Sequence, residues 1–422
     1  MATFRAFGLA VNLPGMVDKC FDTIEKELVD ELAYVVPVYT GPDLTLEEAE
    51  RSINVRENDM GPGENLLHYA ALQNDLGAIN SILWNALTPG VPPIEARCAM
   101  GWTAVFFAAY AGQAGALLAL IKAGAVVTGR DDLDRSALHL AATRTENQRP
   151  YCKVIEILLT AGADVNALCW KSRSPLQESL YHNADLEGFL LLRSGADVNL
   201  VDADQHTAMH LACLRPCEVY ADDVLAVICA LGADPEAVAG RGETALHILV
   251  EQLDTFDMVK TLHSFHPDLN FSPRDDQFNT PLHLLPAEID ETFGYLIEHG
   301  ADVEAKNQDG DTPMHVFAVQ SYDDEACLHC LGLLLLHGAE MDSVNKNGFT
   351  PLVEACSIEN LEAEELLRAE YEKRAQEREV CTAFSMGLQK RLGVNSIVSS
   401  LNPEITRMVL AFIPGQRHTK MA

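Results

Sequence analysis

The chain of 422 residues has no apolar run approaching the eighteen or so that a membrane-spanning helix needs. Its N-terminal apolar stretch, Ala6 to Val11, follows a single Arg5, is broken by Asn12 and Pro14, and leads to no small-residue cleavage pattern. Neither membrane insertion nor a secretory leader is expected. Positive charge is scarce: 30 Lys and Arg against 62 Asp and Glu leave a formal net charge of -32. Such a surface repels phosphate backbones and anionic membranes and speeds association with basic partners, so nucleic acid is not the expected ligand and a protein partner of basic character is. The motifs of common chemistries are missing too: no phosphate loop, G-x-G-x-x-G, G-x-S-x-G or calcium-loop spacing occurs. Neither catalysis nor a cofactor is expected. Eleven cysteines, an odd number spread through apolar segments, fit a reducing intracellular compartment, cytoplasmic or nuclear, better than a disulfide framework.

What the sequence does have is self-similarity. Asp134 to Asn166 opens on a polar turn, runs through Ser136-Ala137-Leu138-His139-Leu140-Ala141-Ala142, continues in Val154-Ile155-Ile157-Leu158-Leu159, and closes on Gly162-Ala163-Asp164-Val165-Asn166. The opening signature returns at Asn65, Thr103, Ser136, Ser174, Thr207, Thr244, Thr280, Thr312 and Thr350, at steps of 38, 33, 38, 33, 37, 36, 32 and 38 residues. Ser, Thr or Asn at the first position suits a helix N-cap, Pro at the next suits a first turn, and the alanines that follow give a narrow apolar face. The second run is bulkier, as in Leu117-Leu118, Phe189-Leu190-Leu191-Leu192 and Leu333 to Leu336, and ends near a glycine able to take the left-handed cap conformation: Gly124, Gly162, Gly195, Gly232, Gly300 or Gly338. Such a helix pair is too small to bury its own face, so stacking must supply the core.

Asn65-Leu66-Leu67-His68, Thr207-Ala208-Met209-His210, Thr280-Pro281-Leu282-His283 and the other signatures resemble the ankyrin-repeat family over roughly residues 40 to 370. The resemblance implies an all-α solenoid of about nine to ten helix-turn-helix repeats with helical caps at both ends. It also implies a non-catalytic protein-protein interaction scaffold that binds through hairpin tips and the concave face. Residues 1–40 read as an N-terminal helical cap, with an amphipathic helix over Met16 to Ala33 and a worn first repeat after it. Residues 41–358 form the array, lengthened by insertions at 87–93, 143–150, 214–221 and 319–325. Residues 359–380 read as a charged connecting helix with Glu364–Arg368 and Glu370–Arg374 pairs. Residues 381–422 are a C-terminal helical cap or an F-box-like segment. Within it Leu401, Pro403, Glu404, Ile405, Met408, Val409 and Phe412 resemble the opening helix of an F-box, which implies an alternative role as substrate receptor of a Skp-type ubiquitin ligase.

Three sets of residues invite a chemical reading. The recurring His68, His139, His210, His247, His283 and His315 stand one per repeat, about 10 Å apart at helix-layer spacing, too far to share an ion; the family resemblance implies a structural hydrogen bond to neighbouring turns. Cys327-Leu328-His329-Cys330 lacks a second ligand pair and reads as core. The carboxylate pairs at 131–132, 275–276 and 323–325 fall on turns and read as solvated surface. That leaves a binding surface at positions the fold does not dictate: Trp102, Trp170, Lys171, Arg173, Asp204, His206, Arg241, Asp309, Lys346 and Phe349 at the tips, and Gln73, Asn74, Tyr110, Thr143 and Arg144 after the paired alanines. Trp102 and Trp170 are the sharpest candidates, since a turn has little use for tryptophan unless it packs on the next hairpin.

Overall fold

The computed structural model describes residues 61, 63–85, 93–143, 151–214, 221–252, 255–286, 290–320, 324–357 and 360–391; of 290, 324–327 and 377–391 it describes the helical course only. The N-terminal cap, the worn first repeat, Arg144 and the segment from Leu401 to Phe412 lie outside the described residues. Among the described residues there are eighteen helices and no strand, and no helix is long and apolar enough to cross a membrane.

Two compact units divide the chain, Met1–Ala301 and Asp302–Ala422. In the first, seven helical hairpins follow one another: α1 Leu66–Gln73 with α2 Leu76–Trp84, α3 Ala104–Tyr110 with α4 Ala114–Lys122, α5 Ala137–Ala142 with α6 Tyr151–Thr160, and α7 Pro175–Tyr181 with α8 Asp185–Arg193. The series continues with α9 Ala208–Cys213 and α10 Ala221–Ala230, α11 Ala245–Val250 and α12 Phe256–Phe265, then α13 Pro281–Leu284 and α14 Asp290–Glu298. The second unit holds α15 Pro313–Val319 with α16 Asp324–Leu336 and α17 Pro351–Ser357 with α18 Leu361–Arg391.

In the first unit α1, α3, α5, α7, α9 and α11 each pack on their own second helix and on the first helix of the next hairpin, and in the second unit α15 packs on α16 and α17, and α17 on α18. The residue types explain why. Ala70, Ala71, Ala108, Ala109, Ala141 and Ala142 are fully buried, and their small side chains let successive first helices approach closely. Leu117, Leu120, Ile155, Leu158, Leu191 and Ile228 fill the wider layer between second helices. No hairpin closes a core of its own, so each unit is a solenoid built by stacking.

Both ends of the helix pairs are set by local chemistry. Gly124, Gly162, Gly195, Gly232, Gly300 and Gly338 have φ between 85° and 94°, and a side chain at any of them would meet nothing within 4 Å. Glycine is therefore required by backbone conformation and not by space. At Gly162 the amide donates to Leu159 O at 3.0 Å and the Ala163 amide to Leu158 O at 3.0 Å, satisfying two carbonyls of the α6 terminus.

One boundary differs from the sequence reading. The charged helix begins at Leu361 but runs without interruption to Arg391, so the division at residue 380 does not fall at a helix end. The reason is local: neither charged helix formers nor the Cys381–Met386 stretch supplies a breaker, and Gly387 alone does not stop the helix.

Candidate recognition surface

The signature Thr-x-x-His folds into a reciprocal cap that also reaches the next hairpin. In α5 the Ser136 amide donates to His139 Nδ1 at 3.1 Å, Ser136 Oγ lies 2.8 Å from the same nitrogen, and His139 Nε2 lies 2.9 Å from Arg173 O, in the following tip. A carbonyl oxygen only accepts, so Nε2 carries the proton and Nδ1, which receives an amide, does not; the ring is neutral. The arrangement repeats. His68 Nε2 reaches Ala96 O at 2.9 Å, His210 reaches Ala237 O at 3.1 Å, His247 reaches Asn279 O at 3.2 Å, and in the second unit His315 reaches Phe349 O at 3.0 Å. Burial lowers the pKa of His139 to about 4, and lowers those of His68, His210 and His247, against the opposing pull of their carbonyl partners.

Two of the three departures from the signature, Gln177 and Phe106, test this assignment. Gln177 stands in the histidine position of α7 and reproduces both halves of the bond: its Oε1 accepts from the Ser174 amide at 2.9 Å, and its Nε2 donates to Leu200 O at 2.9 Å and His206 O at 2.8 Å. Phe106 in α3 has no nitrogen to offer, and Thr103 Oγ1 is left buried without a partner. The histidines are thus joints between repeats.

The tips have a grammar of their own. Asp131 Oδ1 accepts the amides of Leu133 (2.9 Å) and Arg135 (2.8 Å), and Asp202, Asp275, Asn307 and Asn345 do the same two and four residues on. Each tip donates one amide to its predecessor: Trp170 N–H to Leu133 O at 3.0 Å, Ala203 N–H to Lys171 O at 2.8 Å, Gly240 N–H to Asp204 O at 3.0 Å, Asp276 N–H to Arg241 O at 3.0 Å. In the second unit Lys346 N–H donates to Asp309 O at 2.9 Å. The tips of each unit therefore form a rigid ladder whose outer side chains are held at fixed spacing.

On this ladder the expected contact residues part company. Trp102 is corrected from contact residue to structural residue: only 7% of it is exposed, its indole Nε1 donates to Asp131 Oδ2 at 3.0 Å, and its ring packs against Phe107 and Tyr110. Arg173 is corrected likewise, being 5% exposed, 3.1 Å from Asp202 Oδ2 and stacked under Tyr181. Both immediately precede a first-helix cap, and that position points at the aspartate opening the next tip. Trp170 is turned outward, 60% exposed, with the Lys171 ammonium 5.1 Å from its ring centre. The Arg241 side chain is almost wholly exposed, Tyr110 and Phe349 are partly exposed, and His206 is half-buried. The sequence reading missed Met100, Leu133, Tyr181 and Phe278, all exposed at tips or first-helix ends. Met100 and Leu133 occupy the tip position that holds Lys171 and Arg241 elsewhere, and that shared register was the available signal.

Among the described residues one trio, Asp202, Asp204 and His206, brings metal-ligating atoms within 4.8 Å of one another. The Asp202 carboxylate is already engaged by the Asp204 and His206 amides and the Arg173 guanidinium, whose charge also disfavours a cation there. The trio is a turn. The described thiols of Cys98, Cys152, Cys169, Cys213, Cys229 and Cys330 are all buried, as core residues are.

Comparison with known proteins places these repeats. A family model described as ankyrin repeats in three copies matches residues 67–169 and 287–379. The chain is 27% identical over 203 residues to the nuclear factor NF-kappa-B p105 subunit of Gallus gallus, covering 47% of this chain and 16% of that one. It is 29% identical over 163 residues to Inversin of Mus musculus, covering 37% and 14%. It is 27% identical over 191 residues to the ankyrin repeat protein FPV031 of Fowlpox virus (strain NVSL), covering 43% and 54%. The chain thus spans a small fraction of the first two relatives and about half of the third.

Two outcomes follow from the joints. Thr103→Val removes a hydroxyl that has no partner and is expected to leave urea stability unchanged or raise it by up to about 1 kcal/mol, whereas Thr244→Val breaks an intact cap and costs about 1–2 kcal/mol. Because His139 stays neutral in the fold down to about 4 and an unfolded chain binds its proton near 6.5, acid favours the unfolded state. The contribution of His139 is present above pH 6.5 and is lost as the pH falls toward 4, about 3 kcal/mol in all. His139→Gln, the residue of the α7 joint, should flatten that part of the stability profile while retaining the fold; an unchanged profile would contradict the assignment.

Proposed function

We propose that this chain, an ankyrin-repeat protein, binds a protein partner along the tip ladder and the outer ends of the first helices of its first unit, without catalysing a reaction. Ankyrin repeats are protein-interaction modules, and the finer assignment rests on one observation. Trp170 is a large aromatic side chain 60% exposed on a backbone fixed by a hydrogen bond to Leu133, so its ordering cost on binding is already met. Met100 and Leu133 stand exposed on the preceding tips, Tyr110 and Tyr181 at the ends of α3 and α7, the half-buried Lys171 on the same tip as Trp170, and Arg241 on a later tip. The surface thus pairs apolar anchors with cationic side chains on a chain whose net charge of -32 draws basic partners from a distance and disfavours nucleic acid. Specificity is read at the tips; the long-range field sets the association rate.

The experiment is a comparison of two exposed tryptophans. Trp84, at the end of α2 and 75% exposed, lies off the ladder. Affinity capture with quantitative readout should lose the bound partner at least tenfold with Trp170→Ala, or with Leu133→Ala and Trp170→Ala together, and not with Trp84→Ala, while circular dichroism stays the same for all three. Equal recovery with Trp170→Ala, or loss with Trp84→Ala instead, would refute the assignment.

A further inference from the structure

Among the described residues the second unit carries a groove of about 840 Å³ between α16 and α18. It is lined by apolar Leu335, Leu336 and Leu366 and by charged Glu362, Glu365, Glu370 and Lys373. Leu336, at the end of α16, is 78% exposed, and Leu361, at the start of α18, is 72% exposed. The groove runs between the second helices of two successive hairpins and leaves apolar surface there open to a further segment.

We propose that this groove is filled by the chain's own C-terminal segment, Leu401 to Ile413, docked by its apolar stripe. Three observations converge on that occupant. The first is pattern: Leu401, Ile405, Met408 and Phe412 recur at helical spacing behind Pro403, a residue suited to a first turn. The second is charge. The docked segment carries Arg407 beside Glu404 and is followed by Arg417 and Lys420 with no further anion, in a chain that is otherwise strongly acidic, and the groove offers Glu362, Glu365 and Glu370 against a single Lys373. The third is reach. From Lys373, at the end of the groove, α18 runs 18 residues further to Arg391, about 27 Å at 1.5 Å per residue, and the nine residues 392–400 span up to about 30 Å when extended. The segment is long enough to return to the groove and no more than long enough, which favours its first apolar stripe over anything beyond it. The same residues that resemble an adaptor-binding helix would then be withheld from any partner while docked.

The test is hydrogen–deuterium exchange on the full-length chain, followed peptide by peptide at two protein concentrations tenfold apart. Amides of residues 401–413 should exchange at least tenfold more slowly than in a free peptide of the same sequence. That protection should vanish both in a groove variant, Leu336→Asp with Glu362→Lys and Glu365→Lys, and in a tail variant, Ile405→Asp with Met408→Asp. Leu336, Glu362 and Glu365 are exposed, and unchanged protection of the buried Leu331 and Leu334 in the second unit certifies that the variants remain folded. Absence of protection in the wild type, or protection that survives the groove variant, would overturn the proposal. Protection that appears only at the higher concentration would assign the groove to the tail of a second copy and would overturn it equally.

Discussion

A neutral imidazole held between two hairpins is the constraint on which the rest of this molecule depends. One ring nitrogen accepts the amide that opens its own helix, and the other donates to a carbonyl in the next tip, so a single side chain fixes a helix start and the register of its neighbour. Such a bond is modest in net energy when exposed and costly to break when buried, since it leaves an amide and a carbonyl unpaired. Repeated along the array, it helps convert helix pairs that have no core of their own into a stack with one. The recurrence of the joint, its replacement by a glutamine able to make the same two bonds, and the orphaned threonine hydroxyl where a phenylalanine intrudes all point to a geometric demand. Ring chemistry is not what is being selected.

The consequences for function follow from what the joint leaves free. Because the tips are tied to one another by a backbone bond at each step, their outer side chains are presented without the disorder usual in loops. A tryptophan on such a frame loses little freedom when a partner covers it, which is the condition for a strong anchor. The acidic remainder acts at longer range: it does not shape the contact but biases which partners arrive. Recognition and assembly are therefore divided between adjacent residues of the same tip.

Much of the architecture was legible in the sequence because the period forces it. Caps, alanine faces, closing glycines and recurring histidines are each dictated by local chemistry, and all of them agree. The surface was less legible, for a reason visible in Trp102 and Trp170. Both stand on turns and both are bulky, yet the first occupies the tip position that faces the next aspartate and the second a position that faces water. Arg173 and His206 share the inward register of Trp102, so aligning the tips to one another, in place of scoring residue types, would have separated them. Met100 and Leu133 went unremarked because a lone exposed apolar residue is ordinary until its neighbours are known to line up. The continuation of α18 past residue 380 was hidden by a change in composition, which marks a change of surroundings and not the end of a helix.

The central claim concerns where the proton sits, and nitrogen-detected long-range NMR of the histidine side chains reads that directly. The account predicts that His139, His210 and His247 carry their proton on Nε2 with Nδ1 bare at pH 7, and that His139 keeps this form at pH 5.5, where a free histidine is mostly charged. A proton on Nδ1, or a doubly protonated His139 ring at pH 5.5 in the folded chain, would contradict it.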